Sequence, residues 1–228
     1  MRDTVNTAEF NLYQRQWDIV PMDALKKAHV TIVGVGGLGS VVALALAKMG
    51  VGKLSLYDAD RVEEHNFPNQ MYGPSQLGML KVEACASMLY SFTDYTESQL
   101  HAHNLEVDKD VTIHAPLVIT CVDSMEARQE IWQAIKQSPA VEAIIDARAG
   151  AEELCFIYSL VSEQAAYEAT LYDDADALPL PCTARAIIYT AFLAGGWIAA
   201  LTKAHLTGKG GKFARHFVNV PMFQTLTL

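Results

Sequence analysis

HVTIVGVGGLGSVVALALAKMGVGKLSLYDAD, residues 29–60, is the stretch that decides the fold. Residues 29–33 form an apolar run short enough for a buried strand, and the run breaks at Gly34-Val35-Gly36-Gly37-Leu38-Gly39. An apolar helix is predicted over residues 40–49, ended by Gly50 and Gly52, and a second apolar run, residues 54–57, stops at Asp58 and Asp60. Strand, glycine-rich turn, helix and acid-tipped strand together read as a nucleotide cradle. Glycines let backbone N–H groups approach phosphate at a helix N-terminus, and an acid at the next strand tip takes ribose hydroxyls. The unit points to a nucleotide without saying which one, or what is done to it.

Upstream, residues 8–19 suit a helix with Asn6 as N-cap and Glu9 three residues on, and Pro21 starts a second, short helix over residues 22–28. Downstream, residues 61–78 are a long loop rich in Asn, Pro and Gly, of the length that is usually functional or disordered. Residues 81–90 read as helix, 99–104 as a short strand and 116–121 as a buried strand. A helix over residues 124–136 is marked by Ser124 as its cap. Strands are predicted at 143–147 and 154–161, a long apolar helix at 184–205, and one or two last strands in 213–227. The alternation predicts an α/β fold, a doubly wound, mainly parallel Rossmann-like sheet. Two strands without a helix between them predict an antiparallel extension towards the C-terminus. All 228 residues fit one domain: a helical segment at 1–28, a nucleotide-binding half at 29–147, and the sheet extension, acidic loop and apolar helix at 148–228.

Composition excludes some partners. A formal charge of −9 argues against nucleic acid and against an anionic membrane surface. The acid is uneven, since Glu163, Glu168, Asp173, Asp174 and Asp176 fall in one stretch without Lys or Arg, which reads as a solvated loop or as a lid over a substrate. Residues 186–201 are apolar but shorter than the roughly 20 residues of a membrane span, so a buried core helix is expected. Cys85, Cys121, Cys155 and Cys182 are scattered with no Cys-x-x-Cys pair, so neither zinc nor a disulfide framework is expected, and a reducing, cytoplasmic setting fits. His101 and His103 lie on one face of a predicted strand with no third metal ligand in evidence, and a structural role is favoured.

Three further groups carry chemistry. Asp123 follows the strand at 116–121, so it shares the crevice at the strand tips with Asp58. The loop His65-Asn66-Phe67-Pro68-Asn69-Gln70 is followed by Lys81. A Lys and an Asp beside a nucleotide make sense where phosphates react, Lys neutralising leaving charge and Asp holding magnesium; a dehydrogenase has no comparable need. In Leu178-Pro179-Leu180-Pro181-Cys182-Thr183 a cysteine stands at a helix start, where its pKa falls and its nucleophilicity rises; the competing reading is a small buried apolar residue.

These pieces in this order resemble the ThiF/MoeB/HesA family, bacterial relatives of ubiquitin-activating enzymes. The resemblance runs from Tyr13 to Gly208 and rests on Tyr13-Gln14-Arg15-Gln16, the Gly34–Gly39 turn, Asp58-Ala59-Asp60 with Asn66 and Gln70, Gly78-Met79-Leu80-Lys81, and Cys121-Val122-Asp123-Ser124. It implies an adenylyltransferase that binds ATP and Mg2+ and activates the C-terminal carboxylate of a small ubiquitin-like or sulfur-carrier protein. By that resemblance Gly34, Gly36, Gly37 and Gly39 cradle phosphates, Asp58 takes the ribose, Asp60, Asn66, Asn69 and Gln70 complete the nucleotide site, Lys81 contacts phosphate and Asp123 binds magnesium. Arg15 would reach the triphosphate of a neighbouring subunit, which implies a homodimer. Asn69 stands where the family usually has Arg, a loss that Arg61 or Arg148 would have to make good. Pro181-Cys182-Thr183 looks like the Pro-x-Cys-Thr of the eukaryotic activating enzymes and would make Cys182 a thioester-forming nucleophile. Two other readings remain: a NAD- or FAD-dependent oxidoreductase using the same turn, and a catalytically weakened scaffold member, for which Asn69 is the support.

Overall fold

The computed structural model describes residues 12–173 and 187–228. Its elements in order are α1 (Met22–Lys27), β1 (His29–Val33), α2 (Gly37–Met49), β2 (Lys53–Tyr57), α3 (Lys81–Phe92), β3 (Leu100–His103), β4 (Leu117–Thr120), α4 (Met125–Gln137), β5 (Ala143–Gly150), β6 (Glu153–Leu160), α5 (Gln164–Glu168), α6 (Ile188–Leu206), β7 (Phe213–Asn219) and β8 (Gln224–Thr227). Among the described residues the strands form one sheet in the order β3-β2-β1-β4-β5-β6-β7-β8. β1 to β5 pair in parallel. β5 to β8 pair antiparallel: β5 and β6 follow one another with no helix between them, as the sequence predicts, whereas β6 and β7 are antiparallel although α5 and α6 lie between them in the chain. From β1 the chain steps outward through β2 and β3, then returns to the other side of β1 as β4. That reversal opens a crevice at the carboxyl ends of β1 and β4, where ligands of such sheets bind.

Strand alternation divides the core. Val30, Ile32, Leu54 and Leu56 face one way, into a layer with Val42 and Leu46 of α2, Cys85 and Leu89 of α3, and Ala194 and Ile198 of α6. Val33, Tyr57, Val118 and Ile144 face the other way, against Ile131, Trp132 and Ile135 of α4 and Tyr167 of α5. The Ser124 hydroxyl caps α4 by accepting the Ala127 N–H at 3.1 Å.

Three expectations need correction. The helix predicted over residues 8–19 does not run on to residue 19: past Leu12, which is helical, the chain makes a single 3-10 turn, Gln14–Gln16, and further turns. The side chains there are committed to tertiary bonds: Gln16 Nε2 donates to the Met49 carbonyl at 2.8 Å and the Tyr13 hydroxyl to Asp94 Oδ1 at 3.2 Å. The acidic stretch is not simply a solvated loop, because its first part folds as α5, with Tyr167 buried and Glu168 accepting from Trp132 Nε1 at 2.8 Å and Lys136 Nζ at 2.9 Å. Asp174 and Asp176 lie outside the described residues. Finally, α6 is buried on one face only. Its small residues fit against α2, where a Cβ on Gly195 would come 2.6 Å from Val41 Cγ1. Its other face leaves Phe192 52% and Leu193 48% exposed. No helix among the described residues is long and apolar enough to cross a membrane.

Candidate functional site

The glycine-rich turn is shaped by two close approaches. Gly34 has φ +83°, in the left-handed region, and a Cβ there would meet the Cys121 carbonyl at 2.9 Å. A Cβ on Gly39 would fall 1.9 Å from the Gly34 carbonyl oxygen, so the first turn of α2 closes directly onto the end of β1. Gly36 is open: a Cβ would meet only the Gln70 amide, at 3.8 Å. No side chain caps the N-terminus of α2. An uncapped helix start under an open glycine turn leaves backbone N–H groups that can receive an anion.

The loop after β2 folds over this turn. It contains two short 3-10 turns, Glu64–Asn66 and Pro74–Gln76. Asn66 is buried and structural in its contacts, its Oδ1 accepting the Glu63 N–H at 2.8 Å. Two bonds tie the loop down: the Met71 N–H donates to Ser40 Oγ at 3.2 Å, and the Tyr72 hydroxyl donates to the Val35 carbonyl. Asn69 Oδ1 and Gln70 Oε1 are buried with no hydrogen-bond partner. Buried amide oxygens are normally paired, so a ligand is the natural claimant for them.

Asp58 and Asp60 have different surroundings. The Asp58 carboxylate accepts the Val35 N–H and the Asp60 N–H, both at 2.9 Å, and burial pushes its pKa up despite Lys81 nearby. Asp60 is mostly exposed and holds Lys81, with Nζ 2.7 Å from Oδ2. Lys81 itself is buried and starts α3, so its ammonium is carried to the crevice on a packed helix end. The sequence placed these groups together; their division of labour appears only in three dimensions. The resemblance-based candidates to replace an Arg at position 69 are both committed elsewhere. Arg61 Nη1 donates to the Gly78 carbonyl at 2.9 Å, and Arg148 is bound to Asp146 and Thr170.

Asp123 stands exposed just past β4, beside the turn that Cys121 contacts through Gly34. Around it lies a network that sequence reading missed. Asp146, fully buried on β5, receives Arg128 Nε at 3.0 Å and Thr120 Oγ1 at 2.8 Å on one oxygen. Its other oxygen receives Arg148 Nε at 2.9 Å and the Tyr167 hydroxyl at 3.1 Å. The available signal was a lone Asp inside the apolar run Ala143-Ile144-Ile145-Asp146-Ala147, since a buried charge must be paired.

Arg15 is remote from the turn of its own chain. It lines a pocket of about 550 Å³ together with Lys48 and Phe92, at the far ends of α2 and α3. The length of α2 alone separates the two ends by roughly 20 Å. Of the described cysteines none is an activated thiol: burial pushes Cys85 and Cys121 up to about 12, and raises Cys155 as well. Cys182 lies outside the described residues. His103 stacks on Tyr57 with ring centroids 4.3 Å apart, next to the strand tip that carries Asp58. Among the described residues no group of three or more His, Cys, Asp or Glu side chains could hold a metal. A single strand-tip carboxylate still fits magnesium that arrives on phosphate, because that ion is commonly held by one or two carboxylates and the substrate itself.

The sequence pattern of the ThiF family matches residues 11–225. Ubiquitin-like modifier-activating enzyme 5 of Drosophila ananassae is 33% identical over 150 residues, covering 57% of this chain and 38% of that protein. Its Caenorhabditis elegans counterpart is 33% identical over 137 residues, covering 54% of this chain and 33% of that protein. The chain thus spans between a third and two-fifths of these relatives. Among solved structures, PaaA superposes with a TM-score of 0.76 at 19% identity, covering 100% of this chain and 75% of that one. The Escherichia coli tRNA N6-threonylcarbamoyladenosine dehydratase TcdA superposes with a TM-score of 0.69 at 16% identity, covering 90% of this chain and 98% of that one. At such identities these structures speak for the fold alone.

Proposed function

The chain belongs to the ThiF family, and on that premise we propose that it is an ATP-dependent adenylyltransferase acting on the C-terminal carboxylate of a small ubiquitin-like or sulfur-carrier protein. The observation that carries this reading is the position of Lys81, a buried cation delivered by a helix end to within 2.7 Å of Asp60 in the loop that covers the glycine turn. A site that only grips a dinucleotide needs the turn and the ribose acid. A site in which pyrophosphate departs also needs positive charge where negative charge builds up.

In the proposed reaction a carboxylate oxygen attacks the α-phosphorus of ATP, the bond to the β-phosphate oxygen breaks, and acyl-adenylate and pyrophosphate result. The attacking carboxylate is already ionised at neutral pH, so no general base is required. The uncapped α2 start and Lys81 receive the phosphates, while Asp58 offers its carboxylate to the ribose. Asp123 would hold magnesium, which when bound offsets phosphate charge. Because Arg15 sits at the far end of α2 from its own turn, a second copy of the chain would have to supply it, and a homodimer follows from the same reading. In a second step the Cys182 thiol loses its proton, attacks the acyl carbonyl and displaces AMP, leaving a thioester.

ATP–pyrophosphate exchange with a small carrier protein ending in Gly-Gly tests the reading. Cys182→Ala is expected to keep exchange within about two-fold while losing the thiol-labile carrier adduct seen on non-reducing gels, since removing a later nucleophile leaves the earlier transition state intact. Loss of exchange in that variant would remove the two-step assignment. Tight NAD binding with no exchange would favour the oxidoreductase reading, and binding of neither would favour the scaffold.

A further inference from the structure

The carbonyls of the two residues next to Asp123, Val122 and Ser124, are held by one side chain. Arg128, one turn into α4 and 5% exposed, donates from Nη2 to the Val122 carbonyl at 2.6 Å and from Nη1 to the Ser124 carbonyl at 2.9 Å. The same Nη2 reaches the Ala147 carbonyl at 3.0 Å, and Nε donates to Asp146 Oδ1 at 3.0 Å. All of the guanidinium nitrogens are therefore engaged, and the fork is fixed at its base by a fully buried carboxylate that Arg148 and Thr120 also hold. No lysine can reproduce this pattern, because a single ammonium is a point donor whereas the planar fork spans separate acceptors.

We propose that Arg128 is a positioning residue for Asp123: anchored on Asp146, it fixes the backbone on both sides of Asp123 and thereby sets where that carboxylate meets the nucleotide-bound metal. The inference rests on the adenylyltransferase reading for the role of Asp123, but the clamp itself is independent of it. Partners behind a metal ligand commonly govern metal affinity about 10–100-fold without touching the ion. Arg128 touches neither phosphate nor metal in this arrangement; it acts through the Val122–Ser124 backbone alone.

The test compares wild-type protein with Arg128→Lys. ATP binding is measured by calorimetry across a magnesium titration, and amide hydrogen exchange is followed in the same samples. The expected result is a rise of about ten-fold or more in the magnesium concentration needed for half-maximal ATP binding, in line with that range. Amides of residues 122–125 should exchange faster while those of β1 keep their protection. Arg148→Lys is the control: it leaves both carbonyl bonds of Arg128 in place and should hold the magnesium requirement within about two-fold, below the range expected for a lost partner of a metal ligand. If Arg128→Lys does not fold, Arg128→Gln replaces it, since Asp146 then keeps Arg148 as its counter-charge. A magnesium requirement in the Arg128 variant equal to that of wild type overturns the proposal, as does an equal shift in the Arg148 control. Wild-type protein that binds ATP without regard to magnesium overturns the role of Asp123 itself, and the positioning role with it.

Discussion

Asp146→Ala is expected to destabilise the fold by about 3–5 kcal/mol, the cost of removing one member of a buried ion network and leaving the rest uncompensated. That is a large part of a total that for such domains is about 5–15 kcal/mol. Asp146 is fully buried, and its two oxygens serve Arg128 on one side and Arg148 on the other. Without it two guanidiniums remain in a low-dielectric interior, and the Thr120 and Tyr167 hydroxyls lose their acceptor. Urea denaturation gives the number directly, and a shift below about 1 kcal/mol would place the network in the class of exposed pairs. The pH dependence has a definite sign. Burial by itself raises the Asp146 pKa, but Arg128, then Arg148 and the hydrogen bonds outweigh it, and the carboxyl is held below its usual range. A depressed folded pKa contributes stability that is complete above the unfolded value and is lost as pH falls through the folded one. The alanine variant should therefore lose less stability than wild type on acidification.

Lys81→Ala is expected to lower ATP–pyrophosphate exchange by about 10²–10³-fold, the usual cost of removing one group that stabilises developing charge. The fold should survive, because the abandoned partner, Asp60, is 70% exposed on its side chain and water can replace the ammonium. The two-part signature is an unchanged denaturation midpoint with a collapsed exchange rate. A variant that exchanges at the wild-type rate would make the Lys81–Asp60 pair a surface ion pair only. Neither Arg61 nor Arg148 is positioned to compensate, since the carbonyl of Gly78 and the Asp146–Thr170 pair already occupy them. On the proposed adenylyltransferase reading, Asn69 would leave the phosphate side of the site dependent on Lys81 and, from a second copy, Arg15.

Much of this was legible in the chain itself. The 29–60 stretch announced β1, the turn, α2 and β2 because a short apolar run, glycines and a second run leave few other arrangements. Ser124 announced the start of α4 because a capping hydroxyl is a local device. Tertiary commitments were not legible. Residues 12–19 carry a helix-compatible pattern, yet Tyr13 and Gln16 are drawn to Asp94 and Met49, more than thirty residues away in sequence. The acidic stretch looked solvated until Tyr167 and Glu168 found Asp146, Trp132 and Lys136. In α6 the uniformly apolar sequence concealed a division between a small-residue face packed on Val41 and an outer face bearing Phe192 and Leu193. Within the candidate site, Asp58, Asp60 and Asp123 were singled out because they stand just past strand ends, and Lys81 because it follows the Asn-rich loop. Arg128 was not, because on a helix surface an Arg four residues past a cap looks like any solvated cation.

The most direct test of the central claim is pyrophosphate exchange with one carrier protein in two forms, its C-terminal carboxylate free or converted to the amide. The account predicts exchange with the free carboxylate, none with the amide, and none with either form in Asp123→Ala. Equal exchange with both forms, or exchange indifferent to Asp123→Ala, would contradict it.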